Sequence, residues 1–209
     1  MPGRMLEHWR NPGQRSGDDF KAPHLPVKYA RRSVGLVRGA SPYLVIADDF
    51  ARNDPNEHLY EWYMQLPFDV DIQKTDEGSI ILNEKEGSRR LLVRTFYSGK
   101  NNTAEQPSVE MMAGYGLNEG GNTSRRIHCY RLRVPFVGNS LSSRVVMYPF
   151  KDGGTLPEFQ WDPAKENLKV RIGDQSDELN FAKPESGAKI LSLKRGSAFL
   201  ELVEGEVKK

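Results

Sequence analysis

Tyr29-Ala-Arg31-Arg32-Ser-Val-Gly-Leu-Val-Arg38, then Gly-Ala-Ser, then Pro42-Tyr-Leu-Val-Ile-Ala-Asp48-Asp49-Phe50, is the stretch on which the fold turns. Each half is a short run rich in β-branched and aromatic residues, and a compact turn separates them, as two antiparallel strands require. Similar runs recur downstream at intervals of about 8–12 residues, the spacing of a sandwich. They are His58–Leu66, Ser79–Asn83, Arg90–Tyr97, Arg126–Val137, Ser143–Phe150, Leu168–Ile172, Glu178–Phe181, Lys189–Leu193 and Ala198–Val203. Val109–Ala113 is a further strand candidate inside a polar, glycine-rich segment running from Ser98 to Ser124. A helix finds little support: only Ala51–Trp62 competes, and Pro55 argues against it.

The expected fold is therefore all-β, an antiparallel β-sandwich of the supersandwich kind with a smaller C-terminal β-meander. The meander follows from the last four runs, which are short and joined by tight turns such as Gly173-Asp174 and Arg195-Gly196. Residues 1–28, crowded with proline, glycine and charge, read as an irregular N-terminal segment; 29–153 read as the sandwich; 154–209 read as strands completing or following it. Lys151–Pro157 gathers glycine and proline after a strand and marks either a domain boundary or a passage between sheets.

A chain of 209 residues can bury a sizeable core, and its 37% hydrophobic content with mean hydropathy −0.64 suits thin two-layer sheets better than a large helical core. Lys and Arg number 30 against 28 Asp and Glu, so a net charge of +2 gives little reason, short of a local basic patch, to expect nucleic-acid attraction, and no nucleic-acid partner is expected. No run approaches the length of a membrane span, so no membrane partner is expected. The single cysteine, Cys129, lies inside a strand run and reads as a buried structural thiol; it says nothing about compartment, and localisation stays open.

The four histidines, His8, His24, His58 and His128, form no spacing that puts two imidazoles on one metal, and no nucleophile elbow or dinucleotide fingerprint occurs. No metal and no cofactor is expected. Two strand segments pair aromatic rings with polar or cationic groups, the chemistry that grips sugars. In His58-Leu-Tyr60-Glu-Trp62-Tyr-Met64, alternation sends His58, Tyr60, Trp62 and Met64 to one face. In Arg126-Ile-His128-Cys-Tyr130, it groups Arg126, His128 and Tyr130. Both sets read as a uronate-binding face, the arginine supplying carboxylate contacts, or alternatively as core packing. Arg31-Arg32 and Asp48-Asp49 read as a cross-strand ion-pair quartet of structural role.

The opening strand pair resembles the paired strands of heparinase II/III-like polysaccharide lyases, in the C-terminal β-sandwich region. His58-Leu-Tyr60-Glu-Trp62-Tyr-Met-Gln65-Leu-Pro67 is similar to the family's H-x-Y-x-W strand, in which a histidine often stands where this chain has Gln65. Ser143-Arg-Val-Val-Met-Tyr148-Pro149-Phe150-Lys-Asp-Gly153 resembles another strand of the same sandwich. The similarity spans about Tyr29 to Gly153.

That resemblance implies a sandwich joined to an upstream α/α-toroid that carries a catalytic Tyr and His, with a further His and, in several members, an H-x-H metal segment on the sandwich. It implies β-elimination on uronate-containing polysaccharide, with the C5 proton abstracted and the 4-linked bond leaving. None of those elements has a counterpart in these residues, so no catalytic residue is carried over. The expected function is a non-catalytic sandwich, part of or derived from such a lyase, that supports or binds acidic polysaccharide. Two alternatives stand beside it. One is an active lyase using His128, Tyr130 and Arg126; the other is a structural or oligomer-forming module. As part of a lyase precursor the chain would be periplasmic or secreted.

Overall fold

The computed structural model describes residues 27–66, 70–75, 78–99, 101, 103, 105, 107–117, 124–183, 189–203 and 206–208, with the side chains of 111–117, 124–129, 189 and 206 excepted. The chain is all-β and antiparallel, as the alternating runs predict. Its strands are β1 (Val27–Val37), β2 (Tyr43–Arg52), β3 (His58–Leu66), β4 (Val70–Lys74), β5 (Ile80–Glu84), β6 (Arg89–Ser98), β7 (Ser108–Leu117) and β8 (Ser124–Gly138). They continue with β9 (Ser140–Lys151), β10 (Glu158–Asp162), β11 (Asn167–Ile172), β12 (Gln175–Phe181), β13 (Lys189–Arg195), β14 (Ala198–Val203) and β15 (Glu206–Lys208).

Three sheets stack as layers. The central sheet has the order β1-β2-β9-β6-β5-β4, a three-stranded sheet β3-β8-β7 covers one face, and the meander β10 to β15 covers the other. Because successive side chains leave a strand on opposite faces, each central strand feeds two cores. Val45, Leu92 and Val146 pack toward the meander with Leu168, Val170 and Leu179. Val93 and Val145 pack toward the three-stranded sheet with Trp62, Leu132 and Val134. A strand covered twice carries an unbroken apolar run, which is why Tyr43–Ala47 and Val145–Tyr148 show little alternation in sequence. The segment Asp152–Pro157 carries the chain from the central sheet into the meander. Strand β1 starts at Val27, two residues inside the segment read as irregular; residues 1–26 lie outside the described residues.

The meander owes its regularity to two-residue hairpin turns. Ile172 pairs with Gln175 across Gly173-Asp174, and Arg195 with Ala198 across Gly196-Ser197. Gly173 and Gly196 hold φ of 58° and 56°, which glycine adopts without the Cβ clash. Three strands are additional to the runs read from sequence: β4, β10 and β15, none longer than five residues and each at a sheet edge.

Two polar clusters fasten the meander to the central sheet. Arg144 on β9 is 1% exposed. Its Nη2 donates to Asp49 Oδ1 at 3.0 Å and to Glu166 Oε2 at 3.1 Å, and its Nη1 donates to the carbonyls of Asp48 (3.1 Å) and Ser143 (3.0 Å). The guanidinium carbon lies 4.8 Å from the centroid of the Phe181 ring, a cation–π contact. Arg31 reaches Asp49 Oδ2 at 3.5 Å and the Ala182 carbonyl at 3.3 Å, while Arg32 pairs with Asp48 at 2.6 Å. The register Arg31↔Asp49, Arg32↔Asp48 is the cross-strand quartet expected from sequence. In the second cluster the Tyr43 hydroxyl donates to Asp177 Oδ2 (3.0 Å), Gln175 Nε2 donates to the same oxygen (2.9 Å), and Arg195 Nη2 donates at 2.7 Å. Burial first, and the adjacent Asp177 second, push the Tyr43 hydroxyl well above its ordinary value.

Truncating Arg144 takes the ion-pair partner from the buried Glu166 carboxylate and leaves the buried Asp49 with Arg31 and Ser142, whereas Arg32 is exposed at its tip. Arg144→Ala is expected to lower the unfolding free energy by about 3–5 kcal/mol, and Arg32→Ala by less than about 1 kcal/mol. Urea denaturation of the two variants beside the parent measures both.

Candidate functional site

Strands β3 and β8 pair in a register that fixes which side chains share a face: Tyr60↔Phe136, Trp62↔Val134, Met64↔Leu132 and Leu66↔Tyr130. That face looks inward. Trp62 is 4% exposed and Tyr60 9%, and both belong to the core against the central sheet. The Tyr60 ring meets Phe50 edge-on at 5.2 Å, and its hydroxyl donates to the Asn139 carbonyl at 3.1 Å. These rings pack; neither presents a face to a sugar. Tyr130 is half-buried against the same core. The backbones of Arg126 and His128 pair with Tyr115 and Ala113 of β7, and their side chains, like that of Cys129, lie outside the described residues.

His58 opens β3 and closes the turn that precedes it. Its Nε2 lies 2.6 Å from Asp54 Oδ1, while Arg52 Nε and the Asn56 amide donate to the same carboxylate, each at 3.1 Å. The His58 hydrogen bond chiefly holds the Asp54 carboxyl down at about 2; desolvation, the next largest influence, opposes it, and the Asn56 amide and Arg52 add smaller lowering contributions. This is a turn clamp built on one carboxylate. Among the described residues no three His, Cys, Asp or Glu side chains come together as a metal site.

The opposite face of the same two strands is the one that meets solvent. Alternation puts Leu59, Glu61, Tyr63 and Gln65 of β3 there, with Arg131 and Arg133 of β8. Tyr63 is 37% exposed and carries the Arg131 guanidinium carbon 4.1 Å from its ring centroid. Arg131 also holds Glu110 of β7 through Nε at 2.8 Å and Nη2 at 2.7 Å. Arg133 bonds Glu61 and, at 2.6 Å, Glu105, and its Nε lies 3.7 Å from Glu110 Oε1. These charge-assisted bonds lower the Glu61 carboxyl and raise the Arg133 guanidinium from their ordinary values. Gln65 sits directly across from Arg131. The result is a flat platform with one aromatic ring, two arginines and three carboxylates.

The outward side of β8 was readable from its own sequence, though its β3 and β7 partners were not. Tyr130, Leu132, Val134 and Phe136 alternate with Arg131 and Arg133, and an apolar set of that length marks the covered side. Trp62→Ala should lower the unfolding free energy by about 3–5 kcal/mol, while Tyr63→Ala should leave the denaturation midpoint near that of the parent, both read in urea. Because the Asp54 carboxyl is depressed, its contribution is present above an unfolded value near 4 and is lost as pH falls toward 2. Asp54→Asn should flatten the decline of melting temperature between pH 5 and pH 2 measured by calorimetry; an unchanged decline would refute the clamp.

No protein-family model matches the chain, and no curated protein matches it.

Proposed function

We propose that this chain is the non-catalytic β-sandwich portion, or a relative, of a heparinase II/III-like polysaccharide lyase, and that it supports a site for acidic, uronate-containing polysaccharide. The observation that carries the reading is where the motif-bearing strands fall. The strand pair Tyr29–Arg38 and Pro42–Phe50 becomes β1 and β2, the Ser143–Gly153 strand becomes β9 beside them in the central sheet, and the His58–Pro67 strand becomes β3 in the layer above. Motifs scattered over more than a hundred residues thus share one stack.

The exposed face of β3 and β8 is the surface such a role would use. Gln65, at the position where the family often has a histidine, opens onto it beside Tyr63 and Arg131. The ring offers a sugar-stacking plane, and the arginines already hold carboxylates in the geometry a uronate would take. Three glutamates outnumber two arginines there, so a free uronate must displace Glu110 or Glu61 to bind. That favours support over tight capture by the isolated chain. In this reading the groups that abstract the C5 proton and protonate the leaving oxygen belong to an α/α-toroid partner, and this chain shapes and rigidifies the floor on which the sugar lies.

The isolated chain should give no rise in unsaturated-uronate absorbance on heparan, chondroitin or alginate. A uronate oligosaccharide at millimolar concentration should raise its melting temperature slightly, and Arg131→Ala should remove that rise. Robust product formation, lost in a His128→Ala, Tyr130→Phe variant, would overturn the proposal in favour of an active site on this chain.

A further inference from the structure

Among the described residues the central sheet ends at β1, with no strand paired to its outer edge, and the meander extends past it. Tyr43 of β2 lies under Asp177 of β12, which sets β13 over β1 and leaves β14 and β15 with no central strand beneath them among the described residues. Between that overhang and the open edge of β1 runs a cleft of about 580 Å³, lined chiefly by Val34, Leu36, Val37, Leu200, Leu202 and Val207. Val37 turns toward the meander, whereas Val34 and Leu36 turn to the other side, where the three-stranded sheet leaves them 56% and 58% exposed beside Leu44. Val207, on the overhang, is 66% exposed. The Ser33–Val37 part of this edge carries no charge and no proline, the devices that normally blunt an open strand.

We propose that the cleft is a strand-addition site that takes an extended segment of another polypeptide, antiparallel to β1, apolar on both faces and acidic where it begins beside Arg38. An open main-chain edge selects a backbone in extended form, and apolar surface on both sides of that edge selects apolar residues at successive positions rather than alternate ones. Arg38 stands at the cleft end that an antiparallel segment would enter first; it is exposed and its side chain makes no ion pair among the described residues. A second copy of this chain is the poorer occupant: a two-fold axis that pairs β1 with β1 antiparallel keeps both meanders on the same face of the merged sheet and sets the two overhangs against each other. The proposal stands on the cleft and its edge and is independent of any lyase relationship.

A fluorescein-labelled peptide amide, Asp-Val-Ile-Val-Val-Ile-Val-Lys, titrated with the full chain and read by anisotropy, tests it. Saturable binding is expected. N-methylating the amides at alternate positions should weaken it by about tenfold or more for one parity and change it less than about threefold for the other, since an added strand uses alternate amides. Leu36→Lys and Val207→Glu should each weaken binding about tenfold with the melting temperature unchanged, and Arg38→Glu should weaken it more at low salt than at high. Absence of saturable binding, equal sensitivity to both N-methylation patterns, or a concentration-dependent dimer of the chain that Leu36→Lys dissolves would overturn the proposal.

Discussion

A sheet covered on both faces has no wet side on which to set charge, and the central sheet of this protein meets that constraint along most of its width. Val45, Val93, Val145 and Val146 are all essentially inaccessible, yet they point in opposite directions into two different cores. Everything else follows from this. The three-stranded sheet and the meander each need only one apolar face, and β3, β11 and β12 alternate accordingly between buried and outward-facing residues. The charges that remain inside must then be paired among themselves.

That pairing is concentrated where the meander meets the central sheet. Arg144 would be intolerable alone at that depth, and it is held by two carboxylates, two carbonyls and an aromatic ring. One of the carboxylates comes from Glu166, a non-glycine residue at φ 51°, whose carbonyl accepts the Phe181 amide at 2.9 Å. A left-handed conformation there costs roughly 1 kcal/mol or more for a residue with a Cβ, a cost set against the buried ion pair that a glycine could not make. The Tyr43, Asp177, Gln175 and Arg195 cluster does the same at the other end of β2. The two sites fix the angle and register of the meander more sharply than apolar packing alone, which is non-directional.

The antiparallel all-β class and the meander were legible in the sequence because turn residues and short β-rich runs are local signals. The ion-pair quartet was legible too, since Arg31-Arg32 and Asp48-Asp49 flank one hairpin. The third layer was not: a doubly covered strand differs from a half-covered one only in losing its alternation, and short edge strands such as Val70–Lys74 carry little pattern. At the candidate site, period 2 told which residues of β3 share a face but not which face the fold covers. The aromatic members, Tyr60 and Trp62, went inside for the ordinary reason that they bury the most area. The less conspicuous set, Glu61, Tyr63 and Gln65, was left with the solvent.

The chain reaches β9 late. It must insert between β2 and β6, and its Ser142 meets Asp49 across 93 positions of sequence. Until that insertion, the flanks of two strongly apolar strands are bare, and closing so long a loop is slow compared with forming the local hairpins of the meander. Nascent chains halted before Ser140 therefore expose apolar strand edges of β2 and β6 that β9 covers in the finished fold, and productive folding competes there with aggregation.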